Sequence, residues 1–191
     1  IRSKFKESLK EVTRINKHCP ELKEIISEFE TRITDLKITN DSHVDFSSFC
    51  HGDLALDNII ISRDRNLYLI DPLINGFESY MWDISKLFQS TLILWRQIKI
   101  GEFEVVTSQR KVYIKSSNRM TILNNRFYEQ MIGENNNSYI VLYLAATLAR
   151  TAKYWQTCDQ LAALLIVTNE LLDHFSTGRY ELDEPLDSMR W

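Results

Sequence analysis

One short stretch of this chain carries side chains of the kind that do chemistry. His51-Gly52-Asp53-Leu54-Ala55-Leu56-Asp57-Asn58 sets a carboxylate, Asp53, a few residues ahead of a side-chain amide, Asn58. A carboxylate can orient or accept the proton of a hydroxyl group. An amide oxygen suits a hard divalent cation, which takes oxygen ligands. A second carboxylate, Asp71, closes the apolar run Leu67-Tyr68-Leu69-Ile70. A third, Asp83, lies in Tyr80-Met81-Trp82-Asp83-Ile84-Ser85-Lys86. At the start of a helix an acid is favoured by the macrodipole, and that is the plain alternative for Asp83. Asp57 is an oxygen ligand by type and a solvated loop acid by default.

These residues need elements to bring them together. Ile59-Ile60-Ile61 and Leu67-Tyr68-Leu69-Ile70 are β patterns, and the polar run Ser62-Arg63-Asp64-Arg65-Asn66 between them reads as a turn, so the pair predicts a hairpin. Asp71-Pro72 ends it, because proline cannot continue a ladder. Such a hairpin returns Asp71 close to Asn58, and both can then serve one metal site.

The rest of the chain reads as helices around that hairpin. Phe5, Leu9, Val12 and Ile15 predict an amphipathic helix over 3–18. Pro20 suits the first turn of a second helix reaching about Lys37. A polar loop covers 39–45. One helix is expected from Tyr80 to about Lys99, ending before Gly101. Residues 102–115 predict a second hairpin around Ser108-Gln109-Arg110-Lys111. Further helices are expected at about 118–132, 138–156 and 159–177. Gly133 and Gly178 stand where C-terminal caps belong, and Thr157 or Asp159 can cap the last helix. The acidic tail 180–191 reads as irregular. The expected fold class is α+β, mostly α.

The spacing of Asp53 and Asn58, with a strand ending in an Asp downstream, matches the catalytic loop and metal-binding segment of protein kinases. The strings HGDLALDNI, LIDP and WDISK together resemble the aminoglycoside phosphotransferase and choline kinase group. Members have a kinase-like fold, with HGD in place of HRD and no Phe-Gly after the second Asp. LIDP followed by MWDISKL is similar, within that group, to kinase-like proteins of bacterial capsule and sugar-precursor operons. The resemblance covers about residues 46–90. It implies ATP or GTP as donor, Mg2+ as cofactor and a hydroxyl of a small molecule as acceptor. It implies that Asp53 is the catalytic base, that Asn58 and Asp71 are metal ligands, and that His51 and Asp83 support the catalytic loop. His51 is then a buried residue bonding the loop backbone or Asp71, not a base.

A kinase also needs an N-terminal lobe with a Gly-rich loop, a strand lysine and a helix glutamate. The five glycines, Gly52, Gly76, Gly101, Gly133 and Gly178, form no GxGxxG. The residues before His51 read as helices, which match the start of a C-lobe. The expectation is therefore a C-terminal lobe with the N-lobe absent. Residues 1–45 would be leading helices, 46–75 the catalytic loop and metal-binding hairpin, 76–179 a helical substrate subdomain and 180–191 a tail. The chain begins at Ile1 instead of Met, so a fragment or a processed product is expected. Alone it would be weakly active or inactive. The missing N-lobe would belong to the same or another chain. The rival reading is a non-catalytic, pseudokinase-like binding or scaffold module.

Composition narrows the classes. Hydrophobic residues make up 44% and charged residues 26%, with a net charge of -3. That is an ordinary globular balance without the basic stripe of a nucleic-acid binder. No stretch has the length of a transmembrane helix, so no membrane partner is expected. Cys19, Cys50 and Cys158 are odd in number and lack CxxC spacing, so reduced thiols and a cytoplasmic location are expected. His18, His43 and His174 are scattered and read as surface or cap residues. Trp82, Trp95, Trp155 and Trp191 read as packing residues. Arg150, Lys153 and Tyr154 read as the charged edge of an amphipathic helix, with a substrate-facing role as the alternative.

Overall fold

Two helices that are apolar on nearly every side form the centre of the protein. A helix of this kind has no face to offer water and must be surrounded. The computed structural model describes residues 1–38, 50–73, 79–114 and 138–178. In it, α5 (Ser138–Ala149) buries every residue from Ile140 onward. Beside it, α6 (Cys158–Thr177) buries a nearly continuous run from Leu161 to Leu172. Thr157 caps α6 by accepting from Gln160 N at 3.2 Å, and Gly178 ends it at φ +68°. That positive φ favours glycine at the position after a helix.

The other helices cover this pair. α1 (Arg2–Ile15) buries Phe5 and Val12 and lies on α5 and the turn that follows it. Pro20 opens a 3-10 turn, Pro20–Leu22, that runs directly into α2 (Lys23–Asp35). α2 packs on α6 through Ile25, Ile26 and Phe29, and Arg32 adds an ion pair to Asp173 at 2.7 Å. α3 (Tyr80–Thr91) packs on α5 through Met81, Trp82 and Phe88. Ser85 Oγ meets Thr147 Oγ1 at 3.0 Å inside that contact. The described residues are thus mostly helical, with two small antiparallel sheets among them.

The first sheet is β1 (Ile59–Ile61) with β2 (Leu67–Leu69), where a hairpin is expected. The second is β3 (Phe103–Val106) with β4 (Lys111–Ile114), turning through residues 107–110. Val112 is fully buried there, and both strands pack on α6.

Three expectations are corrected. The single helix from Tyr80 to Lys99 is two: α3 stops at Thr91, and α4 (Trp95–Ile100) starts after Leu94, which adopts φ +51°. Leu92, Ile93 and Leu94 are consecutive and all buried, and the left-handed conformation of Leu94 redirects the chain there. The helix expected over 138–156 stops at Ala149 and tightens into a 3-10 segment, Arg150–Tyr154. Cys19 and Cys158 are not free thiols: they form a disulfide, with Cα atoms 5.7 Å apart across a separation of 139 residues. The bond staples the turn before α2 to the first residue of α6. Cys50 takes no part in a disulfide.

The expected loop at 39–45, helix at 118–132, cap at Gly133 and tail at 180–191 lie outside the described residues. No helix among the described residues is long and apolar enough to cross a membrane.

Candidate functional site

The site is built where the first hairpin meets the start of α3. The strands pair Ile59 with Leu69, Ile60 with Tyr68 and Ile61 with Leu67. Ser62 makes the turn: its N–H donates to Asn66 O at 2.9 Å, and its hydroxyl accepts from Asn66 N at 3.1 Å. At the open end Ile70 N donates to Asn58 O at 3.0 Å. Asn58 and Asp71 therefore stand on neighbouring chain segments at the same end of the ladder.

His51 joins the loop to that end. Its Nε2 lies 2.8 Å from Ile70 O, and a carbonyl only accepts, so Nε2 carries the proton. Leu73 N donates to His51 O at 2.8 Å, a second tie across the same junction. His51 is 7% exposed, and its Nδ1 has no hydrogen-bond partner among the described residues. A ring packed this way, with its proton committed to a backbone carbonyl, is placed to brace the loop.

Asp83 holds the loop from the other side. His51 N donates to Asp83 Oδ2 at 2.6 Å and Gly52 N donates to Asp83 Oδ1 at 2.8 Å. Both oxygens of a buried carboxylate thus take backbone N–H groups that water cannot reach. Gly52 sits at φ +80°, a left-handed conformation that glycine adopts without steric cost, where successive amides converge on one carboxylate. Hydrogen bonds to a charged group contribute about 1.5–3 kcal/mol each. Asp83→Ala removes two and leaves two buried donors unpaired, so unfolding in urea should show a loss of about 3 kcal/mol or more. Asp83→Asn keeps one acceptor oxygen and should fall between.

Asp53 follows directly and is only partly covered, with its side chain 33% exposed. Its carbonyl accepts from Ala55 N and from Asn58 Nδ2, each at 2.8 Å. The Asn58 contact fixes the amide: Nδ2 points back to the loop, and Oδ1 is the atom left to face a cation. Asn58 Nδ2 is also 3.5 Å from Asp53 Oδ2, a long contact. Asp53 Oδ1 forms an ion pair with Lys86 Nζ at 2.9 Å.

Asp71 is exposed and takes φ +55°, a left-handed conformation that Asp tolerates better than branched residues. Its carboxylate and Asn58 Oδ1 are both hard oxygen donors, and their segments are joined by the Ile70–Asn58 hydrogen bond. That donor set fits a hard divalent cation such as magnesium, which uses one or two carboxylates and keeps water or phosphate for the rest. Asp57 is exposed in the turn Leu56–Asn58 and has no role in this geometry.

Lys86 is the residue that sequence reasoning left without a role. The signal was available: it lies three residues after Asp83, so the two share one helix face. Arg150, Lys153 and Tyr154 sit on the 3-10 segment after α5. Arg150 stacks 5.8 Å over the Trp82 ring, and Lys153 lies 5.0 Å over Tyr154. Arg150 and Lys153 line a cleft of about 110 Å³ with Lys4, Glu7 and Glu11 of α1. Trp82 is buried, and Trp95 meets Trp155 edge-on.

The hairpin itself exposes apolar side chains. Ile61 is 69% exposed, Leu67 61% and Tyr68 53%. Compared with protein-family models, with curated proteins and with solved structures, the chain matches none.

Proposed function

We propose that this chain is the C-terminal lobe of a protein-kinase-like phosphotransferase. It serves the transfer of the γ-phosphoryl group of ATP or GTP to a hydroxyl of a small molecule such as a sugar, an aminoglycoside or choline. The observation that carries the reading is the Asp83 carboxylate, which binds the N–H groups of both His51 and Gly52 and so fixes the backbone just before Asp53. A loop held this way presents one partly exposed carboxylate beside a hairpin end that carries two hard oxygen ligands. The resemblance of HGDLALDNI, LIDP and WDISK to the aminoglycoside phosphotransferase and choline kinase group supports the same reading.

Each residue then has a task. Asp53 orients the acceptor hydroxyl and takes its proton. Asn58 and Asp71 hold magnesium, which when bound offsets the charge on the phosphate oxygens. His51 and Asp83 keep the loop in place. The nucleotide-gripping lobe, on this or another chain, is the partner this reading requires. The apolar face of the hairpin, which folding leaves in water, is surface for such a body to cover. A nucleoside triphosphate donor goes with a cytoplasmic location. The Cys19–Cys158 bond is then one that the thiol pool of that compartment acts against.

The test is a thermal-shift titration of the product of the whole reading frame. Mg-ATP or Mg-GTP should raise the melting temperature, since a ligand that binds only the folded state stabilises it. Asp71→Asn should reduce the shift at equal nucleotide. No shift with either nucleotide would sink the reading and favour a scaffold module.

A further inference from the structure

We infer that Lys86 is a positioning residue for this site. It fixes the Asp53 carboxylate through Oδ1, leaves Oδ2, whose contact with Asn58 Nδ2 is a long 3.5 Å, for the acceptor hydroxyl, and supplies a fixed positive charge that the loop itself lacks. The inference rests on the phosphotransferase reading above and gives it a residue from outside the motif.

The observation behind it is a register. Three residues of α3 meet the loop in the same order as the loop runs. Asp83 binds the N–H groups of His51 and Gly52 at 2.6 and 2.8 Å, Lys86 binds Asp53 at 2.9 Å, and Ser90 Oγ accepts from Leu56 N at 3.4 Å. Positions 83, 86 and 90 follow the i, i+3, i+7 spacing of one helix face. The helix that bears them is anchored on α5 through buried Trp82, Ser85 and Phe88. One rigid element therefore sets both the path of the loop and the direction of the carboxylate.

The charge has a use as well. From His51 to Asn58 the loop contains neither lysine nor arginine. Phosphoryl transfer depends on positioning and on neutralising phosphate charge. In the step, the acceptor oxygen bonds to the γ-phosphorus, the bond to the β–γ bridging oxygen breaks, the nucleoside diphosphate leaves, and the hydroxyl proton passes to Asp53. Lys86 keeps its own proton throughout.

The experiment uses the product of the whole reading frame, Mg-ATP or Mg-GTP, and a panel of sugar, aminoglycoside and choline acceptors. Lys86→Met should lower kcat about ten- to hundredfold, the scale of a small misplacement of a reacting group, with nucleotide KM within about twofold. Lys86→Arg should recover most of the rate. Lys86→Met added to Asp53→Asn should cost little more, since residues that act as a unit are not additive. Equal melting temperatures exclude misfolding, and Lys86→Gln replaces Met if that variant does not fold. Unchanged kcat, a change confined to KM, or a fully additive loss overturns the inference and leaves the phosphotransferase reading standing. Wild-type protein that binds neither nucleotide and phosphorylates no acceptor overturns both.

Discussion

Asp53→Ala in the product of the whole reading frame is expected to lower phosphoryl transfer by about a hundred- to ten-thousandfold, the range of a lost general base. Nucleotide affinity should change little. The asymmetry follows from where the side chain sits. Asp53 stands in the loop between the residues braced by Asp83 and the side chain of Asn58, and its carboxylate is paired to Lys86. The contacts that hold the loop use the Asp53 carbonyl oxygen and the amides of His51 and Gly52, none of which the substitution removes. The fold should survive, and the loss should appear in kcat. Asp53→Asn, which keeps the shape and removes the proton acceptor, should behave alike. Turnover equal to wild type in either variant would remove Asp53 from the chemistry.

Reducing the disulfide, or replacing Cys19 and Cys158 by serine, is expected to cost about 4–5 kcal/mol of stability. The bond closes a loop of 139 residues, and the entropy lost by the unfolded chain grows with loop length. For a chain of this size that corresponds to a fall of roughly 10–20 °C in melting temperature. Urea unfolding with and without dithiothreitol measures it, and Cys50→Ser serves as the control. Equal midpoints would mean that the bond adds nothing to the stability of the fold.

The hairpin was legible in the sequence because its signals are local. Apolar triplets, a polar turn and a proline after Asp71 fix strands and turn within a few residues of one another. The caps of α6 were legible for the same reason: Thr157 and Gly178 act on their own helix ends. The break between α3 and α4 was not. Leu92, Ile93 and Leu94 look like the middle of a helix, and nothing local marks Leu94 for a left-handed conformation. The disulfide was hidden as well, since nothing in a separation of 139 residues says that two cysteines share a turn.

The same division runs through the candidate site. The sequence by itself determined the chemical types and their order: Asp53, Asn58 and Asp71 at spacings that a short loop and hairpin span, with a mostly helical body around them. Only the tertiary structure decided what orients them. Asp83 reaches the amides of His51 and Gly52, and Lys86 reaches Asp53, across roughly thirty residues of chain because α3 docks on α5. Local spacing fixes which donors a segment carries. Which distant charge comes to meet them depends on how buried helices pack, and that is a property of the whole core.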